Sequence, residues 1–186
     1  MNALKGLKIA ILVADGFEQV EMVKPRNALQ DQGAATTLIS LKPKVQGHHH
    51  ADKGDTFSVD LLLDRADPTH FDALLLPGGV LNPDTLRMET KAIDFIKKIH
   101  QQKKPIAAIC HGPWLLINAG IAKNHHVTSW PSVKTDLINA GALWEDKAVV
   151  KDGLLITSRN PHDIPAFNKA IIELLLNTYK NKIDAT

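Results

Sequence analysis

The sequence is short of cysteine. Cys110 stands alone among 186 residues, which excludes an internal disulfide and fits a reducing compartment and a thiol kept for reactivity. Net charge is also lacking. The formal value of +2 is too small to point to a nucleic-acid partner, and no basic stripe with interleaved aromatics is present. Lys97-Lys98 and Lys103-Lys104 read as solvated surface. No apolar run approaches the roughly 18 residues of a membrane span. Ile9 to Ala14, preceded by Lys5 and Lys8, is too short for a signal-peptide core and stops at Asp15 without a cleavage pattern. A cytoplasmic protein with no membrane partner is therefore expected. No Gly-x-Gly-x-x-Gly run offers to cradle a phosphate, which disfavours a flavodoxin-like binding module. His48-His49-His50 lacks the spacing of a structural zinc site and has no cysteine partner. Neither a metal nor an organic cofactor is expected.

What is present is ordinary globular material, 44% hydrophobic and 23% charged, and long enough for a sizeable core. No repeat, linker or low-complexity tract divides it, so residues 1–186 are expected to form one domain. Leu7 to Ala14 and Ala35 to Ser40 read as apolar strands separated by a helix from Glu18 to about Gln32, a β-α-β pattern that points to a parallel sheet. Phe71 to Leu76 is another strand, and the spacing predicts one long helix over Asp84 to Gln102. Residues 41–60 are an excursion with short strands near Lys44 to Gln46 and Thr56 to Val59. Lys151-Asp152-Gly153 between Leu143 to Val150 and Leu154 to Thr157 predicts a hairpin in the C-terminal half. The last helix starts at Pro161 or Asp163, and residues 181–186 are expected to fray. The fold class is α/β: a doubly wound, mostly parallel sheet with helices on both faces.

The chain is organised around residues 104–114. Ile106 to Ile109 is a short buried strand that stops at Cys110. Gly112 allows a tight reversal, Pro113 suits the first turn of a helix, and Gly120 ends that helix. Cys110 therefore sits in a strand-to-helix turn, the geometry of a nucleophile elbow, at the sheet edge where ligands collect in open α/β folds. The competing reading is a small cysteine packed as a hydrophobe.

Two other strand ends reach the same edge, Asp15-Gly16-Phe17-Glu18 and Pro77-Gly78-Gly79. Glu18 can face the sulfur and, if protonated, donate to a thiolate, the two then titrating as a unit. It can equally well just complement a helix N-terminus. Gly78 and Gly79 leave amides unobstructed, and with the His111 amide they can form an oxyanion hole. His111 is a candidate acid or base, although adjacent side chains usually point apart. Asp84 is a candidate orienting carboxylate, or simply a dipole partner for its own helix. Trp130, Arg159 and Trp114 are candidates for the cleft mouth.

Ala-Ile-Cys110-His111-Gly-Pro-Trp-Leu-Leu-Ile, Asp-Gly-Phe-Glu18, Leu-Leu-Leu-Pro-Gly78-Gly79, Thr-Ser-Trp-Pro-Ser and Thr-Ser-Arg159-Asn-Pro-His-Asp-Ile-Pro-Ala-Phe together resemble the PfpI family of intracellular proteases and amidases. The similarity is closest to its bacterial general-stress branch. The resemblance implies a flavodoxin-like sandwich shared with class I glutamine amidotransferase domains. It implies a catalytic Cys110 with Glu18 beside the sulfur, and an oxyanion hole at the Gly79 and His111 amides. It also implies a dimer or a hexamer, with a carboxylate of a second subunit orienting the histidine. Asp84 stands where that carboxylate is Glu in archaeal members. Asp is a methylene shorter, so the contact is expected to be stretched or relayed by water. The implied function is a stress-related cysteine hydrolase acting on peptide, amide or glyoxal-adduct substrates. The alternative is a non-enzymatic stress protein, a redox-sensing thiol or a holdase, because an accessible low-pKa thiol oxidises readily.

Overall fold

The structure, a computed structural model, describes residues 2–184, with side chains as far as residue 180. The apolar run after the N-terminal turns forms β1 (Lys8–Leu12). Two residues make β2 (Phe17–Glu18) and lead into α1 (Gln19–Asp31). β3 (Ala35–Ser40) follows, then a hairpin of β4 (Lys44–His49) and β5 (Asp52–Ser58), and the short β6 (Leu61–Leu62). β7 (Ala73–Leu76) runs into α2 (Leu81–Met88) and α3 (Thr90–Gln101). β8 (Ile106–Ile109) turns into α4 (Trp114–Asn118). Next come β9 (His126–Val127), α5 (Lys134–Asn139) and β10 (Leu143–Trp144). The hairpin of β11 (Val149–Asp152) and β12 (Leu155–Ser158) precedes α6 (Ile164–Asp184).

Seven strands form the central sheet in the order β11-β12-β8-β7-β1-β3-β6. All neighbours are parallel except β11 against β12. Alternation along β1 explains why both faces are covered. Ile9 and Ile11 point to the face closed by Met22 and Leu29 of α1 and Phe167 and Leu174 of α6. Ala10 and Leu12 point to the other, closed by Phe95, Ile96 and Ile99 of α3 and Leu115 of α4. Successive strand residues face opposite ways, so a strand apolar at every position is buried only between two helical layers. This is the flavodoxin-like α/β sandwich expected from the sequence. No helix among the described residues is long and apolar enough to cross a membrane.

Three expectations are corrected. The long helix over 84–102 is two helices, with Glu89 extended between them at φ −92° and ψ 106°. The apolar spacing fits one helix, but α2 packs on α4 and β2 while α3 packs on α4 and β7, and a straight rod cannot reach both strands. The start moves back to Leu81 because Asn82 ties the first turn down. Its Nδ2 donates to the carbonyls of Pro77 and Gly78, and its Oδ1 accepts from the Ala14 amide. The run 143–150 likewise splits, its two halves pairing with β9 and β12 respectively. Finally, α6 reaches Asp184 but leaves helical φ/ψ at Tyr179 (−116° and 22°), ahead of the stretch expected to fray; residues 185 and 186 lie outside the described residues.

The excursion at 41–60 is a longer hairpin than its sequence suggested. It is pinned to the start of α1 by Gln19, whose Nε2 donates to Asp55 Oδ2 at 2.6 Å and whose Oε1 accepts the Asp55 amide at 2.7 Å. This brings the three histidines to the C-terminal edge of the sheet, beside the turn that carries Cys110.

Candidate active site

β8 is buried at every position and ends in Cys110 at φ +62°. A left-handed backbone at a side-chain-bearing residue costs on the order of 1–3 kcal/mol and persists where its surroundings hold it. Here the Cys110 amide donates to the Ser158 carbonyl of β12 at 3.0 Å, and its carbonyl accepts the Trp130 amide at 2.9 Å. The turn is therefore fixed from two sides. It also brings neighbouring side chains together. Cys110 Sγ lies 3.3 Å from His111 Nδ1, a contact that adjacent residues seldom make in regular structure.

His111 is clamped in turn. Its Nε2 is 3.2 Å from Ser132 Oγ, the Trp130 ring stacks on it at 6.0 Å and 24°, and the Trp114 ring meets it edge-on at 5.1 Å. Burial holds its pKa below the usual imidazole value, so the ring is neutral and ready to accept a proton at Nδ1. Nothing in the sequence alone assigned Ser132 a role. The signal for it was the Thr-Ser-Trp-Pro-Ser stretch, which turns back over the elbow.

The carboxyl beside the sulfur belongs to Glu21, correcting the placement expected for Glu18. Glu21 is fully buried and in hydrogen-bonding contact with Cys110. Its Oε2 accepts the Gly78 amide at 2.9 Å, while Oε1 is buried with no hydrogen-bond partner among the described residues. The two glutamates are three residues apart and share a side of α1. Glu18 stands before the first turn, and its Oε2 accepts the His50 amide at 2.9 Å instead. Gly78 makes room for the arrangement, since a Cβ there would lie 2.5 Å from Glu21 Oε2 and 2.6 Å from Cys110 Cβ.

Burial pushes Glu21 up to about 8, helped by the nearby charge of Glu18. Burial, then the charge of Glu21, pushes the Cys110 thiol up, while the amides of Gly79 and His111 donate to the sulfur and pull the other way. Cys110 and Glu21 thus share one negative charge at most. With its proton on, Glu21 removes a repulsion that opposes the thiolate and becomes a donor to it. Three donors then converge on the sulfur, whereas an ionised Glu21 would leave Oε1 unserved.

Cys110 and His111 open on a cleft of about 520 Å³, whose walls include Glu18, Glu21, Gly79 and Trp130. Other expected members lie elsewhere. The amide of Gly78 is spent on Glu21. Arg159 is turned aside by Asp163, at 2.8 and 3.0 Å, and by Asp146, at 2.8 Å. Asp84 is exposed in the first turn of α2 and is not among the cleft-lining residues of its own chain. The sequence reading left His48 and His50 without a role, yet both line the cleft. Among the described residues, no three His, Cys, Asp or Glu are grouped to hold a metal.

The DJ-1/PfpI family model matches residues 7–174. The chain belongs to the DJ-1/PfpI family. Several of its relatives in that family carry the names of enzymes. A deglycase of Pyrococcus abyssi is 41% identical over 169 residues, covering 91% of this chain and 99% of that protein. Two Bacillus subtilis proteins are similarly close. YraA, named as a candidate cysteine protease, is 40% identical over 170 residues, 90% of this chain and 98% of its own. General stress protein 18 is 41% identical over 173 residues, 91% of this chain and 98% of its own. The crystal structure of Drosophila melanogaster DJ-1beta matches with a TM-score of 0.81 at 28% identity, over 95% of this chain and 97% of that one.

Proposed function

We propose that this DJ-1/PfpI protein is a stress-related, cysteine-dependent hydrolase of peptide, amide or glyoxal-adduct substrates. The observation that carries the reading is the 3.3 Å approach of Cys110 Sγ to His111 Nδ1. As the sulfur attacks a carbonyl carbon, its proton passes to Nδ1 and the carbonyl electron pair moves onto oxygen. The amides of Gly79 and His111 are the donors for that oxyanion. The oxyanion then collapses, the bond to the leaving nitrogen breaks, and the His111 proton goes to that nitrogen. A thioester remains on Cys110. Water, giving a proton to His111, cleaves the thioester and the sulfur regains its proton. Glu21 keeps its own proton throughout, so the site never carries two adjacent negative charges. The deglycase and protease names of the relatives support both substrate classes.

We place this activity in the cytoplasm and in a homo-oligomer. Val80, Leu81 and Met88 are 53%, 56% and 81% exposed, an apolar surface of the sort that associating proteins cover. Asp84 lies on the same helix. In our reading it meets His111 of a second copy, where it competes with Ser132 for Nε2.

The test is Cys110→Ala, assayed on a peptide amide and on a methylglyoxal adduct of an amine. Turnover of both should vanish while circular dichroism keeps its shape. Undiminished turnover would reject the reading.

A further inference from the structure

We infer that Glu18 is a specificity-determining residue of the cleft, whose carboxylate receives an ammonium or guanidinium group carried by the substrate beside the bond under attack. The inference rests on the hydrolase reading only for the place of that bond.

Glu18 precedes α1, yet its side chain makes no cap for that helix. It faces the cleft instead, in a residue only 8% exposed. Oε2 is engaged by the His50 amide, and Oε1 has no hydrogen bond among the described residues. Oε1 keeps contact with the water of the cleft, and a cation that displaces this water pairs with a carboxylate otherwise screened from bulk solvent. The cleft supplies no cation of its own, since neither Lys nor Arg lines it. The ring of His50 is 87% exposed, with Nδ1 3.8 Å from Oε2, beyond hydrogen-bond reach. Much of the remaining wall is apolar, with Val80, Leu81, Trp130 and Pro161 among it. Against such a background one negative charge discriminates strongly, favouring cations and excluding anions.

The position of the charge is fixed relative to the chemistry. The Glu18 amide donates to the Gly78 carbonyl at 3.3 Å. A Cβ on Gly79 would lie 2.7 Å from the Glu18 nitrogen. The backbone of Glu18 is thus pressed against the loop that carries the Gly79 amide, and its carboxylate stands one side chain away from the attacked carbonyl. His50 holds the other end through a hairpin that Gln19 anchors.

Arginine amide and its neutral analogue citrulline amide, both with the α-amine acetylated so that only the guanidinium carries charge, are the probes, titrated calorimetrically into C110A protein so that nothing is turned over. The charge should make arginine amide bind about tenfold or more tightly, the size of one charge-assisted hydrogen bond. Adding Glu18→Gln keeps an oxygen for the His50 amide and deletes the charge. The double variant should bind the two probes alike. Equal binding by C110A protein, or a preference that survives E18Q, overturns the inference. With Cys110 intact, kcat/KM for the Nα-acetylated arginyl and citrullinyl coumarin amides should give the same ratio. Failure to turn over any substrate, with the binding preference intact, would reject the hydrolase reading and leave the cation site standing.

Discussion

The Gly78 amide donates to Glu21 Oε2 at 2.9 Å and so pins that carboxyl against the sulfur of Cys110. One backbone donor thereby decides which of two glutamates serves the thiol. Burial raises the Glu21 pKa to about 8 against the pull of that donor, which lowers it.

That shift makes stability depend on pH with a definite sign. The unfolded carboxyl releases its proton near 4.5, and the folded one near 8. Between these values the folded state holds a proton that the unfolded state has lost, so Glu21 lowers stability as pH rises through the window. The slope from this group is at most about 1.4 kcal/mol per pH unit. Glu21→Gln should remove it. Melting curves at pH 5 and pH 8 should separate less for E21Q than for the natural protein; equal separation would contradict the assignment.

Gly79 has φ +78°, and a Cβ there would lie 2.3 Å from the Gly16 carbonyl oxygen. That atom and the Glu18 nitrogen, 2.7 Å from the same Cβ, are backbone and cannot swing away. Gly79→Ala should cost about 2–4 kcal/mol in urea denaturation and displace the amide assigned to the oxyanion. A variant as stable and active as the parent would show that this loop is not rigid.

Ser132 orients His111 through Nε2 at 3.2 Å. Ser132→Ala should lower kcat by about three- to tenfold, the worth of one neutral hydrogen bond, with KM nearly unchanged. The pH limb belonging to His111 should move as well, which a merely structural role would not produce. An unchanged profile would assign the ring's orientation to the stacked tryptophans alone.

The elbow was legible in the sequence because it is local. An apolar run, a cysteine, a glycine and a proline in that order leave the backbone few options. The sandwich was legible for the same reason, since Leu7 to Ala14 and Ile106 to Ile109 are apolar at nearly every position and need two helical layers. What depends on contacts distant in sequence was not. Glu18 and Glu21 are indistinguishable until the Gly78 amide selects one. Ser132 reaches His111 across 21 positions. Arg159 looked like a cleft residue until Asp146 and Asp163 closed on it. The break at Glu89 follows from two packing partners, which no periodicity within 84–102 encodes.

The central claim is that Glu21 keeps its proton so that Cys110 can carry the negative charge. The rate of Cys110 alkylation by iodoacetamide as a function of pH tests it most directly. We predict that Glu21→Ala, which removes the donor, moves the rise of the alkylation rate to higher pH. A pH profile of alkylation left unchanged by E21A would contradict the account.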